Sequence, residues 1–315
     1  MPLTPLEVQL ERALSVLAQK QLDLSALGAA ILQPEKAARF IQAIMDSTVL
    51  MDEARMIPMT ANQYDIDRIG FGSRILHKAT ENTAPSSISA PTVATNSIKV
   101  FERIAEAEIT DTALENNIER GNLENTVLDL AGAQVGLDME EGLLKSDTTL
   151  AGSDADLGDF DGWLKLAANQ LDGGASPPDF DPTDVRDMFN KMLNAVPRKY
   201  LKNRNAWRFY CSWNIEDDYR NVLGDRGTIL GDQMLTGFQQ LSFKGIPVVP
   251  LANMPDGECL LVYPVNTVYG IQRKIRMEPY RLPRQRTTIF VFTLSYGCNY
   301  EDENGACHAK GYTGP

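Results

Sequence analysis

The sequence predicts an α+β protein in which helices and strands are grouped by region and do not alternate. Three observations carry this. Residues 1–50 and the stretch from Leu123 to Lys145 place apolar side chains at three- and four-residue steps, the period of an amphipathic helix. Two alternating stretches flank a polar segment, His77–Ser97, rich in Ser, Thr, Ala and Pro and nearly devoid of large apolar groups. The C-terminal third holds successive short runs of β-branched and aromatic residues separated by Pro and Gly.

In chain order, Leu6, Leu10, Ala13, Leu14 and Leu17 mark a first helix. Pro34 opens a second, because its missing N–H costs nothing in a first turn, and Glu35 favours the positive end of the helix dipole. "YDIDRIGFGSRIL" then alternates as a strand does. "IKVFERIAEAEIT" (Ile98–Thr110) alternates again, with a switch of phase between Val100 and Ala105 that predicts a bulge or twist. Together they form a long hairpin. Its polar tip cannot build a core of its own, so the hairpin reads as an arm that packs on something else.

Leu123, Val127, Ala131, Val135, Met139 and Leu143 then fall four apart in the longest helix, about 35 Å at ~1.5 Å per residue. "DGGASPPDFDP" (Asp172–Pro182) reads as the main boundary. Beyond it come a capped helix in "TDVRDMFNKMLNAV", a strand in "NAWRFYCS" and a helix in "IEDDYRNVL". In "FKGIPVVPLANMP", Pro247, Pro250 and Pro255 cannot donate ladder hydrogen bonds. That stretch predicts a short strand starting abruptly after Gly245 and ending at a sheet edge at Pro250. "ECLLVYP", "TVYGIQRKIRMEPY" and "RTTIFVFTLSYGCNYED" follow as strands, the last with both faces partly buried. "CNYEDENGACH" reads as a polar tail. No internal repeat is visible.

Composition excludes several function classes. Forty-two acidic against thirty basic residues give a net charge of −12. A dedicated nucleic-acid binder would carry a basic footprint instead. No stretch reaches the ~20 apolar residues of a bilayer span, and the N-terminus lacks the pattern of a secretory signal, so a cytosolic protein or one released by lysis is expected. The four cysteines form no CxxC pair and are expected as free thiols. Two histidines, His77 and His308, serve the whole chain, which starves general-base and metal-hydrolase schemes. Cys298, Cys307 and His308 lack the second tight ligand pair of a zinc site. "DADLGDFDG" misses the calcium-loop spacing, with Asp159 where the sixth-position glycine belongs. No nucleophile elbow or phosphate loop is present. The expectation is no enzyme, no cofactor and no metal site.

The order of these pieces resembles the major capsid proteins of tailed phages, the Hong Kong 97 fold. The cues are "PEKAARFIQAIMDSTVLMDEARMIPM" leading into "YDIDR", "VATNSIKVFERIAEAEITDTALEN", "DFDGWLK", "FKGIPVV" and "NTVYGIQRKIRMEPYR", spread over about residues 34–300. The resemblance implies an N-terminal helical arm at 1–56, an extended β-hairpin loop at 57–108 and a peripheral domain with a long spine helix at 109–180. It also implies an axial domain at 181–265, and strands returning to the peripheral domain with a C-terminal tail at 266–315.

It further implies a subunit of an icosahedral shell around double-stranded DNA, built of pentamers and hexamers and found in the virion after synthesis in the host cytoplasm. A separate scaffolding protein is expected, because the stretch before Pro34 is short, together with a portal, a decoration protein and DNA held without sequence-specific contacts. No membrane partner is expected. Candidate subunit-interface residues are Lys78, Glu81 and Lys99 around the hairpin, Arg198, Lys199 and Arg204 in "RKYLKNR", and Arg273, Arg276, Arg281, Arg284 and Arg286 in "RKIRMEPYRLPRQR". Two alternatives stand beside this reading: an encapsulin-like compartment shell, and an unidentified hydrolase.

Overall fold

The computed structural model describes residues 48–71, 75–76, 90–110, 123–154, 156–201, 203–224, 240–272 and 276–315. The helices expected before Thr48, the hairpin tip and the start of the segment after Thr110 lie outside these residues. The chain forms two compact units: Met1–Ala43, Arg103–Gly132 and Lys274–Leu294 make one, and the remainder makes the other.

The larger unit is built on a six-stranded sheet in the order β5-β13-β9-β6-β8-β7. Its strands are β5 (Asn169–Asp172), β6 (Arg208–Cys211), β7 (Ser242–Phe243), β8 (Ile246–Pro250), β9 (Cys259–Val262) and β13 (Ala306–Lys310). Two helices cover one core of this sheet, α4 (Val185–Ala195) and α5 (Trp213–Gly224). Asp184 caps α4 by accepting from the Arg186 N–H at 2.9 Å, as the sequence suggests. Val185, Met188, Phe189 and Met192 then line one face, at helical spacing, and are fully buried. The Phe189 ring lies 4.6 Å from that of Phe209, 5.5 Å from Tyr219 and 5.3 Å from Phe243, an aromatic cluster worth more than its buried area alone. The Gly/Pro-rich break after β5 separates strands of this one sheet.

The prolines of "FKGIPVVP" take a different place from the one expected. β8 is not an edge strand; β6 flanks it in parallel and the two-residue β7 flanks it antiparallel. Lys244 and Gly245, at φ 52 and 86, form a two-residue turn of the primed kind that joins β7 to β8. The Val248 N–H reaches Leu241 on the β7 side and the Leu251 N–H reaches Cys211 on the β6 side. By alternation, Pro250 faces the side where β7 has already ended. Pro247 faces β6 one residue before their pairing begins at Phe209–Val248. Neither proline removes a bond the sheet would otherwise make.

A second correction concerns the C-terminus. Cys307 and His308 belong to no polar tail. β13 lies between β5 and β9, with Cys307 fully buried and His308 held at Nδ1 by Gln170 (2.7 Å) and at Nε2 by Glu258 (2.9 Å). All four cysteines are free and buried.

The same unit contains α1 (Val49–Glu53) and β1 (Arg55–Met59), which pairs in parallel with β10 (Thr267–Gln272). β10 pairs antiparallel with Tyr296–Tyr300 of β12 (Thr287–Tyr300). The long helix α2 spans Leu123–Lys145, as its period predicts. Its C-terminal part buries Val135, Met139, Leu143 and Leu144, and its buried Glu140 accepts from the Leu50 N–H and the Asn253 side chain. Trp163 begins the short helix α3 (Trp163–Leu166) and is fully buried; its carbonyl accepts from Tyr300 Oη at 2.8 Å.

In the smaller unit, β11 (Arg276–Leu282) pairs antiparallel with Thr287–Thr293 of β12. β4 (Phe101–Thr110) also pairs with β12 and alternates strictly along its length. The phase switch seen in "IKVFERIA" is therefore not a bulge. Val100 separates β3 (Thr92–Lys99) from β4, and the two strands join different sheets.

Candidate functional site

The hairpin stands as a two-stranded sheet of its own, β2 (Gln63–Gly70) with β3, in the register Tyr64–Ile98, Ile66–Asn96 and Ile69–Val93. Period-two geometry divides it into faces. One face turns Ile66 and Ile98 into a small core with Met59 and Val268. Asn96 Nδ2 donates to the Tyr300 carbonyl at 2.9 Å, and Asn299 Nδ2 donates back to the Ser97 carbonyl at 2.8 Å. The Lys99 backbone lies so close over Gly297 that a Cβ there would collide with its carbonyl oxygen. Arg68 pairs with Asp302, which also accepts from Tyr200 Oη at 2.5 Å. Burial alone would raise the Asp302 carboxyl, but the bonds from Arg68, Tyr200 and Asn304 outweigh it and hold it at about 2.

The distal half is different. Ile69 is 71% exposed and Val93 63%, directly opposite each other, and Leu76 is 84% exposed. The hairpin is thus held firmly at its root and leaves large apolar side chains exposed in its outer half.

The interface candidates are scattered among several elements. Lys78, Glu81 and Arg273 lie outside the described residues. Lys99 is exposed at the end of β3. Arg281, Arg284 and Arg286 are exposed along β11 and the turn into β12, and Arg276 begins β11 opposite Thr293. Arg198, Lys199 and Arg204 sit in the exposed segment after α4, Lys199 lying 4.7 Å over the Tyr200 ring. There the structure adds a cation that charge runs did not reveal. Lys244 lines the same depression as Arg198 and Arg204, and Arg204 donates to its carbonyl at 3.3 Å. Its signal was the Lys-Gly pair between Phe243 and Ile246, a hairpin turn that brings residue 244 back beside residue 204.

Among the described residues no three His, Cys, Asp or Glu side chains are grouped to hold a metal ion, and no helix is long and apolar enough to cross a membrane. The described residues build a rooted hairpin, a long helix and exposed charged strand ends and turns. The chain belongs to the phage major capsid proteins, with the Hong Kong 97-like α+β fold, structural components of the virion. It is 32% identical over 304 residues to the Bacillus subtilis (strain 168) protein named "Putative prophage capsid protein YqbE", covering 92% of this chain and 95% of that one. No family model matches it. Its fold is similar to a chain of the satellite phage P4 procapsid that includes the size determination (Sid) protein, at TM-score 0.67 and 12% identity, covering 96% of this chain and 98% of that chain. A capsid chain of the native GTA particle is similar at TM-score 0.64 and 14% identity, covering 85% and 91%. A chain of Mycobacterium phage Adephagia follows at 0.58 and 11%, covering 83% and 89%. These relatives favour the capsid reading over an encapsulin-like compartment or a hydrolase.

Proposed function

We propose that this chain self-assembles as pentamers and hexamers into the icosahedral shell around the double-stranded DNA of a tailed phage, and that it catalyses no reaction. The observation that carries this reading is the hairpin: rooted by Ile66, Ile98, Asn96 and Arg68, it leaves Ile69 and Val93 uncovered for a neighbouring subunit. In this reading residues 1–56 are the arm, 57–108 the extended loop and 109–180 the peripheral domain. Residues 181–265 are then the axial domain, and 266–315 the returning strands and tail. Many modest contacts suffice, because avidity multiplies them around a closed shell. Arg198, Lys199, Arg204, Arg281, Arg284 and Arg286 serve as interface cations. A separate scaffolding protein, a portal and a decoration protein are its partners, and DNA is enclosed without sequence-specific contacts.

Electron microscopy of the purified chain supplied with a scaffolding partner tests this: closed shells are expected. A chain that stays monomeric under every assembly condition overturns it. Deleting Thr80–Thr95 is expected to leave a folded monomer that forms no stable shells.

A further inference from the structure

Among the described residues two surfaces remain without partners, and each supplies what the other lacks. The first is a depression of about 420 Å³ lined by half-buried Leu193 and Leu201, with Ile246 fully buried, and by exposed Arg198, Arg204 and Lys244 as its rim. Among the described residues no carboxylate lines it and none of the three cations is ion-paired. The rim is preformed. The primed turn fixes Lys244, whose Nζ bonds Asn190 Oδ1 while its carbonyl accepts from Arg204. A partner arriving here meets cations already in place, which lowers the ordering cost of binding.

The second surface is the outer face of β4. Its strict alternation leaves Glu102, Ile104, Glu106 and Glu108 exposed in one row. Neighbours in such a row stand about 6–7 Å apart. Ile104 is 65% exposed between carboxylates, and none of the three glutamates is paired among the described residues. Within one chain this row gains nothing, since like charges along a strand face repel and a lone isoleucine among them stays in water.

We propose that, in the shell read above, the Glu102–Glu108 face of one copy seats in the Arg198–Arg204–Lys244 depression of the next, with Ile104 on the two leucines and carboxylates against the cations. Nucleic-acid phosphates would use the cations but leave the leucines uncovered; the glutamate row covers both. Each chain then carries both halves of a head-to-tail contact, the kind that closes rings of identical subunits.

Charge reversal tests this, with two readouts. Arg198→Glu/Arg204→Glu and Glu102→Lys/Glu106→Lys are each expected to melt like the parent chain yet to lose roughly tenfold or more in shell yield by electron microscopy and in self-association by sedimentation. All four changes in one chain restore both. An equal mixture of the two reversed chains restores self-association by sedimentation, because each then meets an opposite partner, but not full shell yield, because a five-membered ring cannot alternate two kinds of chain. Ile104→Ser, which alters no charge, lowers association as well. The contact is overturned if either reversed chain associates like the parent, if the fourfold variant stays folded without recovery, or if Arg198→Glu/Arg204→Glu forms normal shells that only lose nucleic acid. A parent chain that forms no shells overturns the shell reading instead. Sedimentation of the parent, the reversed chains and their mixture still decides the contact.

Discussion

The two halves of the hairpin make opposite predictions, and one pair of variants separates them. Ile98 is fully buried among Met59, Ile66 and Val268, and its Cγ2 would lie only 3.3 Å from a Cβ at Gly270. Packing that close leaves little room for collapse after truncation, so Ile98→Ala is expected to cost about 3 kcal/mol. For a chain of this size that lowers the melting temperature by about 6–12 °C, at ~2–4 °C per kcal/mol. Ile69→Ser with Val93→Ser removes as many apolar atoms or more, but from side chains 71% and 63% exposed. The monomer loses only one cross-strand pair there, below about 1 kcal/mol. Shell yield should respond in the other order: the distal pair abolishes shells while the monomer melts almost unchanged. Thermal melting of unassembled protein and electron microscopy of assembly reactions read the two quantities. A distal variant that melts as low as Ile98→Ala, or one that still forms shells at the parent yield, would refute the arm.

Acid should loosen the hairpin root. The Asp302 carboxyl is lowered in the folded chain from an ordinary 3.8 to about 2. A depressed carboxylate stabilises the fold at pH values above its unfolded pKa and loses that contribution as pH falls toward its folded one. The window is therefore about pH 4 down to 2, and the loss about 1–2 kcal/mol once the exposure of Arg68 is discounted. Arg68→Ala should flatten this acid dependence; equal stability loss in the variant and parent between pH 4 and 2 would contradict the pairing. The thiols should be silent in the native chain. Burial pushes Cys307 up to about 12 and raises Cys211, Cys259 and Cys298 as well. An aromatic disulfide reagent at mild alkaline pH is expected to titrate none of the four cysteines natively and all four in denaturant. A single fast-reacting native thiol would show that one strand end opens.

Features set by local period were legible in the sequence. α2 runs over the residues its four-residue spacing predicts, Asp184 caps where an aspartate before "VRDMF" should, and β12 is buried on both faces as its two apolar sets require. Features set by distant partners were not. β13 reads as polar because "ACHAK" holds a histidine and a lysine, yet its neighbours β5 and β9 bury Cys307 and satisfy both nitrogens of His308. No local rule contains Gln170 or Glu258. Lys244 was invisible as a neighbour of Arg204 for the same reason: it is isolated in sequence and joins Arg204 only because a turn folds it back.

The misread phase switch after Val100 is the more instructive failure. A bulge and a change of sheet produce the same alternation pattern, and only the partner strands distinguish them. Here the change of sheet matters to the proposed function. It ends the hairpin at Lys99, frees β3 to pair with β2 alone, and starts at Phe101 a strand whose outer face needs no hydrophobic cover inside the monomer. Among the described residues, charged side chains are spread along strand faces and turn tips; in the proposed shell each is weak alone and many copies multiply it. In the proposed shell, the exposed surfaces of the described residues are the ones that other copies of the chain would cover.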